Sequence, residues 1–199
     1  MLPRALFMSA GRLIASAAAL AAIVTQFVQG NNAINCASFF TIDSNLLAVG
    51  VLTYGAVVRD GVIDGLRGAS VTYLAIVGLV YATMLSHGER LADSRISWVN
   101  LILHTLMPIA VLLDWLLVPP VHRLRFASAL SWLIFPIAYG VYTMIRGERV
   151  GWFPYPMLDD RIAAGRIALN CAGLLAVSIA VIWVVVFLGN LMRPDRHVA

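Results

Sequence analysis

Six separate apolar stretches, each long enough to cross a bilayer, make up most of this chain. They run about 9–29, 39–58, 69–87, 98–118, 127–145 and 167–192 (ends good to about ±3 residues), and a span needs roughly 20 apolar residues. Lipid supplies no hydrogen bonds, so a span must satisfy its own backbone, which a continuous apolar run does as a helix. A transmembrane barrel would instead show segments of about ten residues with period two. The connections are short, and 199 residues with six spans leave no room for a soluble domain. The expected fold is therefore all-α: one six-helix transmembrane domain over residues 1–199.

Composition supports this and narrows the function classes. The chain is 61% hydrophobic and 12% charged, about half the charge of a soluble domain. Its basic residues are all arginine; with the excess of Ala, Val, Gly and Leu, this points to a GC-rich bacterial genome and to the inner membrane. The arginines stand in ones and twos at span ends rather than in a block, which argues against nucleic acid as a partner. Arg4 and Arg12 precede the apolar run that starts at Leu13, as in a signal peptide. The run from Leu13 to Val28 is nevertheless longer than a typical signal core, and 26–32 lacks a small-x-small cleavage site, so a retained span is expected. Arg4, Arg12, Arg123, Arg125, Arg193 and Arg196 fall on one side, and the positive-inside rule places both termini in the cytoplasm. The loops after the first, third and fifth stretches then share the other face. Cys36 and Cys171 are too few for a structural metal site and read as packing residues; no metal or cofactor is expected. Nothing in the sequence sets the oligomeric state.

Polar residues at membrane depth are the natural candidates for function, because burying them there is costly. Thr41, Ser44 and Asn45 open the second stretch at spacing i, i+3, i+4 and share one helix face. In the fourth stretch, Asn100 stacks four residues before His104, where an Asn–His hydrogen bond is feasible. At 1.5 Å per residue, His104 lies about 9 Å deep and Thr41 about 3 Å deep. Both spans enter from the same face, so Thr41, Asn45, Asn100 and His104 share a leaflet. Whether the two spans touch is left open by the sequence. Pro108, one turn on, is expected to free the carbonyl of His104.

Each of these residues also has a structural explanation. A membrane Thr commonly bonds its own i−4 carbonyl. Asp114 is expected to pair with Arg123 or Arg125, and Asp43 with an arginine such as Arg166. In "GWFPYPMLDD", Trp152, Phe153 and Tyr155 suit the water–lipid interface, as an anchor or as a lid. If Thr41 and His104 do meet, hydroxyl and imidazole form a nucleophile–base pair able to attack a carbonyl. Asn45 and Asn100 are then candidate oxyanion donors, and a fatty acyl ester within the bilayer is the natural substrate. A haem- or quinone-binding bundle using His87 and His104, and a small transporter, are the alternatives.

The segments "FFTIDSNLLA", "WVNLILHTLMP" and "GWFPYPMLD", in this order on six spans, resemble the androgen-induced and androgen-dependent TFPI-regulating membrane proteins. The likeness is greater to their bacterial branch, the Pr-six-Pr integral membrane proteins. The resemblance implies an intramembrane threonine hydrolase of the kind that cleaves fatty acid esters of hydroxy fatty acids. Carried over by motif, Thr41 would be the nucleophile and His104 the base. From their position in the sequence, Ser44, Asn45, Asn100, Trp152 and Tyr155 are expected to bind substrate or support the pair. Asp43 departs from the uncharged residue expected beside that threonine.

Overall fold

A computed structural model describes residues 2–30, 32–58, 64–85, 96–159 and 163–193. Six helices among them are long and apolar enough to cross a membrane, and we label them α1 to α6. They are α1 Leu2–Gln29, α2 Phe40–Val57, α3 Asp64–Val80, α4 Ser97–Leu117, α5 Phe126–Val150 and α6 Ala164–Leu191. The fold is thus all-helical, that of a multi-pass membrane protein. Between α1 and α2, Asn32 caps a single turn, Ala33–Cys36, by accepting from the N–H groups of Ile34 and Asn35. That turn reverses the chain within a few residues.

Two of the spans contain π-helical turns. α3 runs on into a π-helical turn, Tyr81–Leu85, and α4 contains another, Ile102–Leu106, between α-helical halves. Such wide turns re-aim side chains and are frequent at functional sites. α3 begins at Asp64 rather than near 69, and α5 runs on to Val150 rather than ending near 145.

α1 lies along α2, α2 against α3, and α3 against both α4 and α6. Ala19 and Ala22 on α1 are fully buried, and small side chains of this kind let membrane helices approach closely. α6 meets α5 along its first turns, Phe126–Leu133, whereas Ile134–Val150 packs little against it. Trp115 of α4 fills the space beside Gly189 of α6, where a Cβ would come within 2.6 Å of the indole, and its N–H donates to the Val185 carbonyl at 3.1 Å.

One end of the bundle is held by buried charge. Asp114 of α4 accepts from Arg12 Nε of α1 at 2.5 Å and from Arg67 Nη2 of α3 at 2.9 Å. Arg12 also donates to the Gly55 carbonyl at the end of α2, and Arg67 to the Val118 carbonyl that closes α4. Asp64, 3.6 Å from Arg67, brings the cluster to two cations and two anions. The cluster therefore joins four helices and is close to neutral, as burial in lipid requires. This corrects the expected pairing of Asp114 with Arg123 or Arg125, both of which are exposed. Arg12 and Arg67 reach inward because their guanidiniums find a desolvated carboxylate there, a contact between residues distant in sequence.

Cys36 and Cys171 are both free thiols. Cys36 is buried and packs under Gly30, but Cys171 is exposed on α6, which corrects its reading as a packing residue. The end of α5 meets the loop after α1, where Arg146 donates to Asn35 Oδ1 at 2.7 Å and Tyr139 to the Ser38 carbonyl at 2.8 Å.

If Asp114 joins the four helices, Asp114→Ala should cost about 3–5 kcal/mol by leaving two buried guanidiniums unpaired. Thermal denaturation of purified protein in detergent should show a large loss for Asp114→Ala and almost none for Arg123→Ala or Arg125→Ala.

Candidate active site

At the other end of the bundle, the first turn of α2 faces the π-helical turn of α4. Thr41 Oγ1 lies 3.3 Å from His104 Nε2, and both residues are buried, at 6% and 8% exposure. The imidazole Nδ1 is 3.3 Å from the Asn100 carbonyl. A carbonyl only accepts, so Nδ1 carries the proton and donates, and Nε2 is left as the acceptor for the Thr41 hydroxyl. In place of the expected bond with the Asn100 side chain, His104 thus donates to the Asn100 main-chain carbonyl. The imidazole also stacks on Tyr81 from the π-helical turn of α3, with ring centres 4.5 Å apart. Both irregular turns therefore contribute to holding one ring.

Thr41 does not make the i−4 bond usual for its residue type. Thr25, Thr72 and Thr83 all donate to carbonyls four residues back, at 2.8, 2.9 and 2.7 Å. The residue four before Thr41 is Ala37, which lies ahead of the helix that opens at Phe40. Its carbonyl is not presented along the helix axis, and the hydroxyl turns to His104.

Asn45 has a structural task. Its Nδ2 donates to the Thr41 carbonyl at 2.8 Å and to the Leu103 carbonyl across on α4 at 3.2 Å. The π-helical turn explains the second bond. Met107 N–H reaches back five residues to Ile102, so the next donor in that register, at Pro108, would serve Leu103. Proline has no N–H, and Asn45 supplies the missing donor. The freed carbonyl that finds a partner is Leu103, not His104 as the α-helical spacing implies. Both Asn45 donors are committed to main chain, which removes it as an oxyanion donor. Ser44 is fully buried, its hydroxyl unpartnered, and it does not reach the site.

The loop after α5 completes the arrangement. Tyr155 is 8% exposed, with its hydroxyl 3.5 Å from Thr41 Oγ1. The Tyr155 oxygen also faces the main-chain N–H groups of Phe40 and Thr41, which open α2 and lack partners within it. Burial pushes the phenol pKa up, so Tyr155 stays a protonated donor at neutral pH. Phe39 packs edge-on against both Tyr155 and Trp152, each at 5.8 Å, and Arg146 lies over Trp152 at 5.1 Å. Trp152 supports Phe39 and does not touch Thr41 or His104. The loop folds over the start of α2, with Tyr155 packed on Phe39 and Thr41.

A cavity of about 510 Å³ adjoins the three polar groups. Thr41, His104 and Tyr155 lie on its wall, and the rest is almost entirely apolar, from α2, α3, α5, α6 and the loop residues Met157 and Leu158. A family model described as FAR-17a/AIG1-like protein matches residues 79–193, more than half of the chain. The chain belongs to the FAR-17a/AIG1-like family. Neither the curated proteins nor the solved structures gave a match. The segment matched to the family carries His104 and Tyr155, whereas Thr41 precedes it.

Among the described residues Asp43 has no ion-pair partner and Arg166 is exposed, which corrects the expected pairing. Asp43 occupies the first turn of α2, where a carboxylate is favoured by the helix dipole. His87, the second ligand of the haem alternative, lies outside the described residues. No group of three or more His, Cys, Asp or Glu among the described residues is placed to hold a metal. Tyr81 had no sequence signal, since nothing in the spacing relates it to His104.

Asn45→Ala should cost about 1–3 kcal/mol by leaving the Leu103 carbonyl unpaired. In a Pro108→Ala background the restored N–H can serve that carbonyl, so the cost should shrink. Thermal denaturation of the two single variants and the double variant measures this coupling; additive effects would disprove it.

Proposed function

We propose that this FAR-17a/AIG1-like protein hydrolyses lipophilic esters within the membrane, with Thr41 as nucleophile and His104 as general base. The observation that carries this reading is the Thr41 hydroxyl facing an unprotonated imidazole nitrogen at the edge of an apolar cavity. The 3.3 Å separation is slightly looser than the about 2.6–3.2 Å of a working pair, as is common before substrate binds. Esters of fatty acids with hydroxy fatty acids are the substrate type that the family resemblance suggests.

The chemistry follows from the positions. Thr41 Oγ1 attacks the ester carbonyl carbon while its proton passes to His104 Nε2. The carbonyl oxygen becomes an alkoxide, and the Tyr155 O–H is the side-chain donor placed to stabilise it. Collapse expels the alcohol, which takes its proton from His104 and leaves an acyl ester on Thr41. A water molecule, deprotonated by His104, then releases the carboxylic acid and restores the hydroxyl. The Asn100 carbonyl steadies the imidazolium formed in each half through its bond to Nδ1.

Hydrolysis of a long-chain ester by purified protein tests this. Thr41→Val keeps the side-chain shape and should abolish turnover, while Thr41→Ser should retain part of it. His104→Ala should lose about 10²–10⁴-fold. Tyr155→Phe should lower kcat by about 10²-fold with a smaller change in KM. Full activity in Thr41→Val would reduce Thr41 to a structural residue and the proposal would fail.

From the arginine bias we also place both termini in the cytoplasm of a bacterial inner membrane, and the Thr41 end of the bundle on the outer side. Reporter fusions should find Asn32 and Gly151 external together; finding them on opposite sides would contradict the six-span topology.

A further inference from the structure

The cavity is open along one side, and the position of the opening identifies its occupant. The α5 residues Ile137, Val141 and Ile145 line the cavity yet are 53%, 55% and 48% exposed. Facing them across it, Leu175 of α6 is 42% exposed, and Cys171 is also exposed. A wall residue half open to the surroundings marks a mouth, and here both lips belong to helices that cross the membrane. The cleft exists because α6 holds to α3 and to Phe126–Leu133, while Ile134–Val150 packs little against it. Cys171 lies about 10 Å along α6 from Ala164, so the mouth is at acyl-chain depth, in the leaflet next to loop 151–159. From the aqueous side of that leaflet, Tyr155 and the aromatic packing on Phe39 cover Thr41.

We propose that an acyl chain of a lipid ester enters laterally, from this one leaflet, through the cleft between α5 and α6. Among the described residues no Arg, Lys, Asp or Glu lines the cavity, so a charged head group has no partner inside and stays at the interface. The chain runs along the apolar wall until its ester reaches Thr41, His104 and Tyr155. Gly140 controls how much of the cleft is open: it lines the cavity, and a Cβ built on it meets nothing within 4 Å. A large side chain at this position fills the passage without striking the protein, and it also replaces a glycine that weakens the helix.

Gly140→Trp tests the route, with Gly173→Trp as control; Gly173 is exposed on α6, has equal room and lies off the cavity wall. The first readout needs no hydrolysis. A long-chain methyl ether with a mid-chain diazirine is supplied in phosphatidylcholine vesicles, and the crosslinks are mapped by mass spectrometry. Wild type and Gly173→Trp should crosslink within 137–145 and 171–178, and Gly140→Trp should lose most of this. The second readout rests on the hydrolase reading. Gly140→Trp should slow a long-chain ester by at least about ten-fold while an acetyl ester changes little, since specificity here resides in the apolar pocket. Crosslinks spread evenly over the lipid-facing sides of α1 and α4, and unaltered by Gly140→Trp, would overturn the entry route. A fully active Thr41→Val with cleft-specific crosslinking would instead defeat the hydrolase reading and leave the acyl site standing.

Discussion

Asp114 is a carboxylate within a membrane bundle, bonded by two guanidiniums from two other helices. Neither the anion nor either cation could remain buried alone, because an unpaired charge in this setting is strongly destabilising. The cluster consequently fixes α1, the end of α2, the start of α3 and the end of α4 relative to one another. With those ends fixed, the opposite ends of α2 and α4 converge. The bond from Asn45 to the Leu103 carbonyl then sets their register beside Thr41 and His104. In lipid, hydrophobicity gives no preference for one helix pairing over another, so buried polar bonds of this kind carry much of the specificity.

The polar groups of the bundle fall into two sets. Most meet a need of the fold: Thr25, Thr72 and Ser178 bond within their own helix, Asn45 replaces the donor lost at Pro108, and Trp115 ties α4 to α6. Thr41 and His104 meet none that a hydrocarbon side chain could not, and Tyr155 joins them with its hydroxyl 3.5 Å from Thr41 Oγ1. They converge on the edge of an apolar cavity, with the imidazole held by a main-chain carbonyl in the tautomer that accepts from a hydroxyl. A buried polar cluster that the fold does not require is where chemistry is to be sought.

The sequence made the number of spans and the shared leaflet of Thr41 and His104 legible, because hydrophobic run length and helical rise depend only on local composition. Contacts between distant spans were not legible. Arg12 and Arg67 as the partners of Asp114, and Tyr81 against His104, depend on helix packing angles that no local pattern encodes. The π-helical turn at Ile102–Leu106 was also hidden, although Pro108 was visible; it moved the freed carbonyl by one residue and gave Asn45 a structural task in place of a chemical one. The loop motif around Trp152 and Tyr155 gave no sign that Tyr155 would reach Thr41, since that contact depends on how the loop folds over α2.

The central claim is that Thr41 is a nucleophile activated by His104, and covalent capture tests it most directly. A long-chain alkyl fluorophosphonate, added to purified protein and mapped by peptide mass spectrometry, should phosphonylate Thr41 with loss of fluoride. The same adduct should be absent from Thr41→Val and form far more slowly in His104→Ala. Modification of a different residue, or equal labelling of wild type and Thr41→Val, would contradict the account.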